Sequence, residues 1–119
     1  LKTLPELTPD MHRERIAELM AASPPTKRTP LTQTTVPAIR KEADLTRKRG
    51  FSLDNEEFNP GVRCLAAPVF GSDGQVVAAI GITAATVRFT EARVPEIAAK
   101  VRSVAAELSR LMGHAEHRA

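Results

Sequence analysis

The sequence predicts an α+β fold: an antiparallel sheet with helices packed on it, a central β-hairpin and a long amphipathic C-terminal helix. Three observations carry that expectation. Two apolar runs, Val62 to Phe70 and Gln75 to Thr83, flank Gly71-Ser72-Asp73-Gly74, which is strong turn chemistry. From Thr90 to Met112 the apolar residues Val94, Ile97, Val101, Val104, Leu108 and Leu111 recur at helical steps. Two earlier segments carry helix start and stop signals. With 119 residues, 42% hydrophobic and 26% charged, the chain has room for one domain with a modest core.

The first helix is expected from Pro9 to Ala22. Thr8 stands as its N-cap, Pro9 takes the first helical position and Asp10 faces the positive end of the dipole. Ile16, Leu19 and Met20 form its apolar stripe, and Ser23-Pro24-Pro25 ends it because proline cannot continue the backbone ladder. A second helix is expected from Val36 to Arg49, capped by Thr35, with Val36, Ile39 and Ala43 on one face and Gly50 just past its end. Arg47, Lys48 and Arg49 crowd its last turn, where cations complement the negative end of the dipole. Gly113 closes the C-terminal helix, and the tail from His114 should fray.

Two strands alone do not make a stable sheet, so the hairpin needs partners. Thr29 to Thr34 could supply one short strand; the others are missing, so the chain reads as an incomplete domain. Both hairpin runs are nearly continuously apolar, which places them centrally in the sheet with both faces covered. A turn symmetric about Ser72 and Asp73 pairs Cys64 with Gly81, Val62 with Thr83 and Ala66 with Ala79. Alternation then puts Leu65, Ala67, Val69, Val76, Ala78, Ile80 and Ile82 on an aliphatic face suited to the C-terminal helix. The opposite face carries Val62, Cys64, Ala66, Ala79, Gly81 and Thr83, all small or weakly polar. Either a closely approaching helix or a ligand must fill it.

Composition excludes several functions. All four aromatics are Phe, which argues against base-stacking platforms and aromatic cages. One Cys and three scattered His give no zinc spacing, and Cys64 cannot form an internal disulfide. Neither a metal nor another cofactor is expected. No apolar run is long enough for a membrane helix and no signal peptide is visible, which points to the cytoplasm. Net charge is +3, but the cations are dispersed and read as solvated helix surface rather than a nucleic-acid footprint. Cys64 as a nucleophile would need a base, and His12, His114 and His117 lie near the chain ends, so a buried, inert role is expected. Asp54-Asn55-Glu56-Glu57 sits in a connector, where acids cap turns, face water or hold a ligand hydroxyl.

The block from Arg49 to Phe70, with its D-x-E-E, G-V-R-C and A-A-P-V, followed by Gly74 to Ile80 with V-V-A-A, resembles the effector-binding domain of IclR-family bacterial transcriptional regulators. The threonine-rich lead-in Leu31 to Val36 and the Leu-x-x-Leu-Met-Gly close fit too, so the resemblance spans Leu4 to Gly113. It implies a GAF-like domain binding a small organic acid over the sheet, assembled as a homodimer or homotetramer. It also implies control of promoter DNA through a winged helix-turn-helix outside residues 1–119, which would be the C-terminal part of the effector domain, and no enzymatic activity. The family's ligand contacts map onto Asp54, Val62, Cys64, Gly81 and Thr83. The family often has serine where Gly81 and Thr83 stand, so one hydroxyl is lost and space gained, which favours a bulkier hydroxylated or aromatic acid. The alternatives are a generic GAF-like sensor, an oligomerisation module or a small enzyme using Cys64.

Overall fold

The computed structural model describes residues 9–115. The expected Thr8 cap, His117 and the end of the tail lie outside them. In chain order the elements are α1 (Pro9–Ala22), α2 (Val36–Arg49), β1 (Ser52–Asn55), β2 (Val62–Phe70), β3 (Val76–Ala85), a 3-10 turn (Glu91–Arg93) and α3 (Val94–Leu111). The first two helices have the predicted bounds. Thr35 caps α2 by accepting the Ala38 N–H at 3.3 Å. Gly50 ends it at φ 82°, a left-handed conformation that glycine adopts without steric cost.

The three strands form an antiparallel sheet in the order β1-β2-β3. The hairpin's partner is therefore Ser52–Asn55 rather than Thr29–Thr34, which forms no strand. Instead, Thr29 and Thr32 act as straps. The Thr29 hydroxyl donates to the Glu56 carbonyl at 2.6 Å and that of Thr32 to the Glu57 carbonyl, fastening the connector after β1.

The hairpin register differs by two residues from the symmetric expectation: Cys64 pairs with Thr83, Ala66 with Gly81 and Val62 with Ala85. The turn is the cause. Gly71 N–H donates to the Gln75 carbonyl at 2.8 Å, Gly74 sits at φ 80°, and an irregularity follows at Val69/Phe70, so the loop is longer and asymmetric. Because the shift is even, Leu65, Ala67, Val69, Ala78, Ile80 and Ile82 keep their predicted face. Val76, beyond the irregularity, pairs with Phe70 instead of joining that row.

Helix α3 packs on β2, burying Leu65 with Phe89, Ile97 and Ala98, and Ala67 and Val69 with Ala105. Of the predicted stripe, Ile97 is buried and Val94, Val101 and Leu108 pack against the core, whereas Val104 and Leu111 are exposed and Ala98, Ala105 and Ser109 are buried beside them. Small residues on the contact stripe let the helix come close to the sheet. Buried Ser109 shows how close: its hydroxyl donates to the Ala105 carbonyl at 2.8 Å and accepts the Phe70 N–H at 2.9 Å. Strand β3 is less covered than expected of a central strand. Val76, Val77 and Ile82 are exposed, and its outer edge has no partner strand among the described residues. Helix α1 rests on α2, with Arg13 and Asp44 in contact at 2.6 Å. Among the described residues no helix is long and apolar enough to cross a membrane.

Candidate functional site

The sheet turns one face to α3 and leaves the other open. On the open face Asp54, Cys64 and Thr83 form one straight row across all three strands. The next row holds Ser52, Ala66 and Gly81, and the row on the other side holds Val62 and Ala85. The five residues singled out from the sequence thus occupy three neighbouring rows of a single face. Ser52 and Ala66 complete the floor; strand alternation alone places Ala66 there, but Ser52 becomes visible only once β1 is recognised.

Cys64 is half-buried rather than buried, and the Thr83 hydroxyl donates to its sulfur at 3.3 Å. That contact spends the Thr83 proton while leaving its oxygen lone pairs as acceptors. No histidine with a described side chain adjoins Cys64: His114 lies at the hairpin tip, stacked on Phe70 and 3.2 Å from the Gly71 carbonyl. The side chains of His12 and His117 lie outside the described ones.

The acidic connector is largely self-satisfied. Asp54 Oδ1 accepts the Glu57 N–H at 2.8 Å, Glu57 Oε2 accepts the Asn55 N–H at 3.0 Å and Glu56 Oε1 accepts the Gly61 N–H at 2.9 Å. Glu56 itself sits at φ 57°, a strained turn conformation held by these bonds and the two threonine straps. Asp54 is therefore fixed in place, with lone pairs left to accept a ligand hydroxyl. A ligand carboxylate beside it would meet like charge.

Burial pushes the Glu57 carboxyl above the ordinary carboxylate range, the Asn55 N–H opposes this, and the nearby carboxylates of Asp54 and Glu42 add to the rise. The folded chain thus binds this proton more tightly than the unfolded one. Stability contributed here is present below the ordinary glutamate range and declines as pH rises through the raised folded value. Glu57→Gln, which keeps an acceptor for Asn55, is expected to remove that decline; matched thermal unfolding series carried from the ordinary glutamate range up to neutral pH would show it.

Behind the row lies Arg63, only 4% exposed. Its Nε and Nη2 donate to Asn55 Oδ1 at 3.0 and 2.8 Å, its Nη1 donates to the Phe89 carbonyl, and Glu91 lies 3.8 Å away. Arg63 and Asn55 are the chain neighbours of Cys64 and Asp54, so this hub fixes the site from the rear. The sequence signal was its place between Val62 and Cys64 on an alternating strand, where an inward arginine requires buried partners.

Two cations of the α2 cluster have acidic or aromatic partners in the fold. Arg49 Nη2 meets Glu42 at 2.6 Å with its guanidinium 4.9 Å from the Phe51 ring centre, and Arg47 lies 3.3 Å from Asp44.

A family model described as "Bacterial transcriptional regulator IclR C-terminal" matches residues 7–110. Over 105 residues the chain is 32% identical to the HTH-type transcriptional regulator KdgR of Escherichia coli, a match covering 88% of this chain and 40% of that protein. Over 81 residues it is 40% identical to the HTH-type transcriptional regulator BhcR of Paracoccus denitrificans, covering 68% of this chain and 29% of the relative. Among solved structures, the C-terminal domain of E. coli KdgR superposes with a TM-score of 0.76 at 33% identity, over 86% of this chain and 62% of that one. The PobR inducer-binding domain from Acinetobacter, a double mutant in complex with 3-hydroxybenzoic acid, superposes with a TM-score of 0.77 at 27% identity, over 83% and 57% of the two chains. The chain thus spans about two fifths of the length of the curated KdgR.

Proposed function

Because the chain belongs to the IclR C-terminal family of bacterial transcriptional regulators, we propose that it senses a small organic acid on the open face of its sheet. The observation that carries this reading is the Asp54-Cys64-Thr83 row, flanked by Val62 and Gly81: a polar line on a floor of small side chains, backed by the buried Arg63 hub. The ligand's hydroxyl donates to Asp54, its body lies over Cys64, Ala66 and Gly81, and its carboxylate points away from the acidic connector. An aromatic or otherwise bulky hydroxy acid lies above this row, in the chemical class of the 3-hydroxybenzoic acid held by the PobR domain. In the full-length regulator a winged helix-turn-helix outside this chain binds promoter DNA, and the protein acts in the cytoplasm as a homodimer or homotetramer rather than as an enzyme. Ligand binding shifts DNA affinity only by favouring one of two subunit arrangements.

Calorimetric titration of the full-length regulator with a panel of hydroxylated and non-hydroxylated acids tests the proposal. Asp54→Ala is expected to weaken the best hydroxy acid by about ten- to a hundredfold, the cost of one hydrogen bond to a charged group, and to leave its deoxy analogue nearly unchanged. Equal binding of all acids by the two proteins, or no binding by either, overturns the reading.

A further inference from the structure

Strand β1 begins at Ser52, opposite Ala66, so Ala67–Phe70 of β2 has no strand on that side. The bare edge opens into a cleft of about 600 Å³ between the end of α2 and the C-terminal half of α3. Strand addition there is blocked. Pro68 has no N–H to offer, and the N–H of Phe70, which points the same way two residues on, is taken by Ser109. An extended peptide therefore finds no ladder, whereas a compact molecule finds walls.

Those walls have a definite chemistry. Pro68, Phe70, Val76 and Ala106 make them mostly apolar, and the charged side chains on them are Arg47 and Arg102, with no carboxylate among the lining residues. The two arginines come from different helices. Arg102 lies flat against Gly50, where a Cβ would sit 3.0 to 3.1 Å from its Nε, Cζ and Nη2. The left-handed glycine that ends α2 thus also makes a berth for the guanidinium, holding a fork of donors at the mouth of an apolar cleft. Arg47 reaches the same cleft from the last turn of α2, with Asp44 at 3.3 Å as its neighbour. A planar guanidinium fork matches a carboxylate, and proline and phenylalanine faces match a flat apolar body.

We infer that this cleft is a second ligand site, at the bare edge of β2 beyond Ala66 and apart from the Asp54-Cys64-Thr83 row, that takes a small amphipathic carboxylate. Arg102 and Arg47 hold the anionic end, and Pro68, Phe70 and Ala106 hold the body. The site joins the end of α2 to α3, so its occupant bridges two elements that the sheet otherwise positions separately.

Amide NMR titration of the full chain with benzoate, and with benzamide as the neutral isostere, tests this. Benzoate is expected to shift the amides of Gly50, Arg102 and Ala106, and benzamide to bind about tenfold more weakly for lack of the charge-assisted bonds. Arg102→Gln, at an exposed position, should bring benzoate down to the benzamide level, and Arg102→Lys should recover part of the loss. Ala106→Leu, which fills the cleft from its wall without touching a charge, should weaken both ligands. The inference is overturned by benzoate shifts confined to Asp54, Cys64 and Thr83, by no shifts at all, or by benzoate affinity that Arg102→Gln leaves unchanged. Because the open-face site is probed by its own variant, either proposal can fail alone.

Discussion

Arg63→Met is expected to lower the unfolding free energy by about 2–4 kcal/mol, as a fall in the denaturant midpoint with an unchanged slope. The side chain is buried, yet its partners are chiefly neutral acceptors, the Asn55 amide oxygen and the Phe89 carbonyl, with the exposed Glu91 carboxylate at 3.8 Å. A guanidinium taken out of water is tolerated because these acceptors bond all three of its nitrogens. Methionine refills the volume of the stem but leaves the Phe89 carbonyl unpaired beside the start of α3. Lysine keeps the charge and loses the fork, so Arg63→Lys should fall between the two. A methionine variant as stable as the parent would show that desolvating the guanidinium costs as much as its bonds return, and that the hub is not what fixes Asn55. In the expected case the loss reaches the open face as well, because Asn55 and Arg63 adjoin Asp54 and Cys64.

Much of the helical part of this fold was readable from local chemistry. Thr35 and Gly50 bound α2 where capping rules place its ends, because capping involves only residues within one turn. The hairpin faces were readable for a different reason. An even register error preserves alternation, so a turn drawn too symmetrically moved Cys64 from Gly81 to Thr83 without moving either side chain to the other face. Strand β1 was not readable. Ser52-Leu53-Asp54-Asn55 is short and half composed of Asp and Asn, which strands disfavour, and it is a strand only because β2 offers it an edge. Its absence from the sequence reading hid the feature that matters most for the site, that Asp54 stands in line with Cys64 and Thr83. The contact stripe of α3 was readable at Val94, Ile97, Val101 and Leu108 but not at Ala98, Ala105 and Ser109, which carry little hydrophobic signal although their smallness is what admits the sheet.

Gly81→Ala is expected to cost about 2–4 kcal/mol, above the usual range for one added methyl, because the group it strikes is backbone. A Cβ at this position would stand 2.5 Å from the Leu65 carbonyl oxygen and 2.9 Å from the Ala66 Cβ. Neither can swing aside as a flexible side-chain end would. Leu65 is 1% exposed and held under Phe89 and Ile97, so relief requires β3 to move away from β2 at the centre of the candidate site. This changes the meaning of the glycine. In the sequence its smallness suggests added room for a ligand; in the structure that room is taken up by β2, which approaches to a distance that a Cβ at position 81 does not permit without a shift. A larger ligand must then find its space above the row rather than in the floor. Gly81→Ser therefore serves as a second measurement on the same point. If the glycine merely vacates pocket volume, serine should be tolerated and should reshape ligand preference alone. If the close approach governs, serine should lower the melting temperature much as alanine does, and ligand affinity should fall for every acid regardless of size.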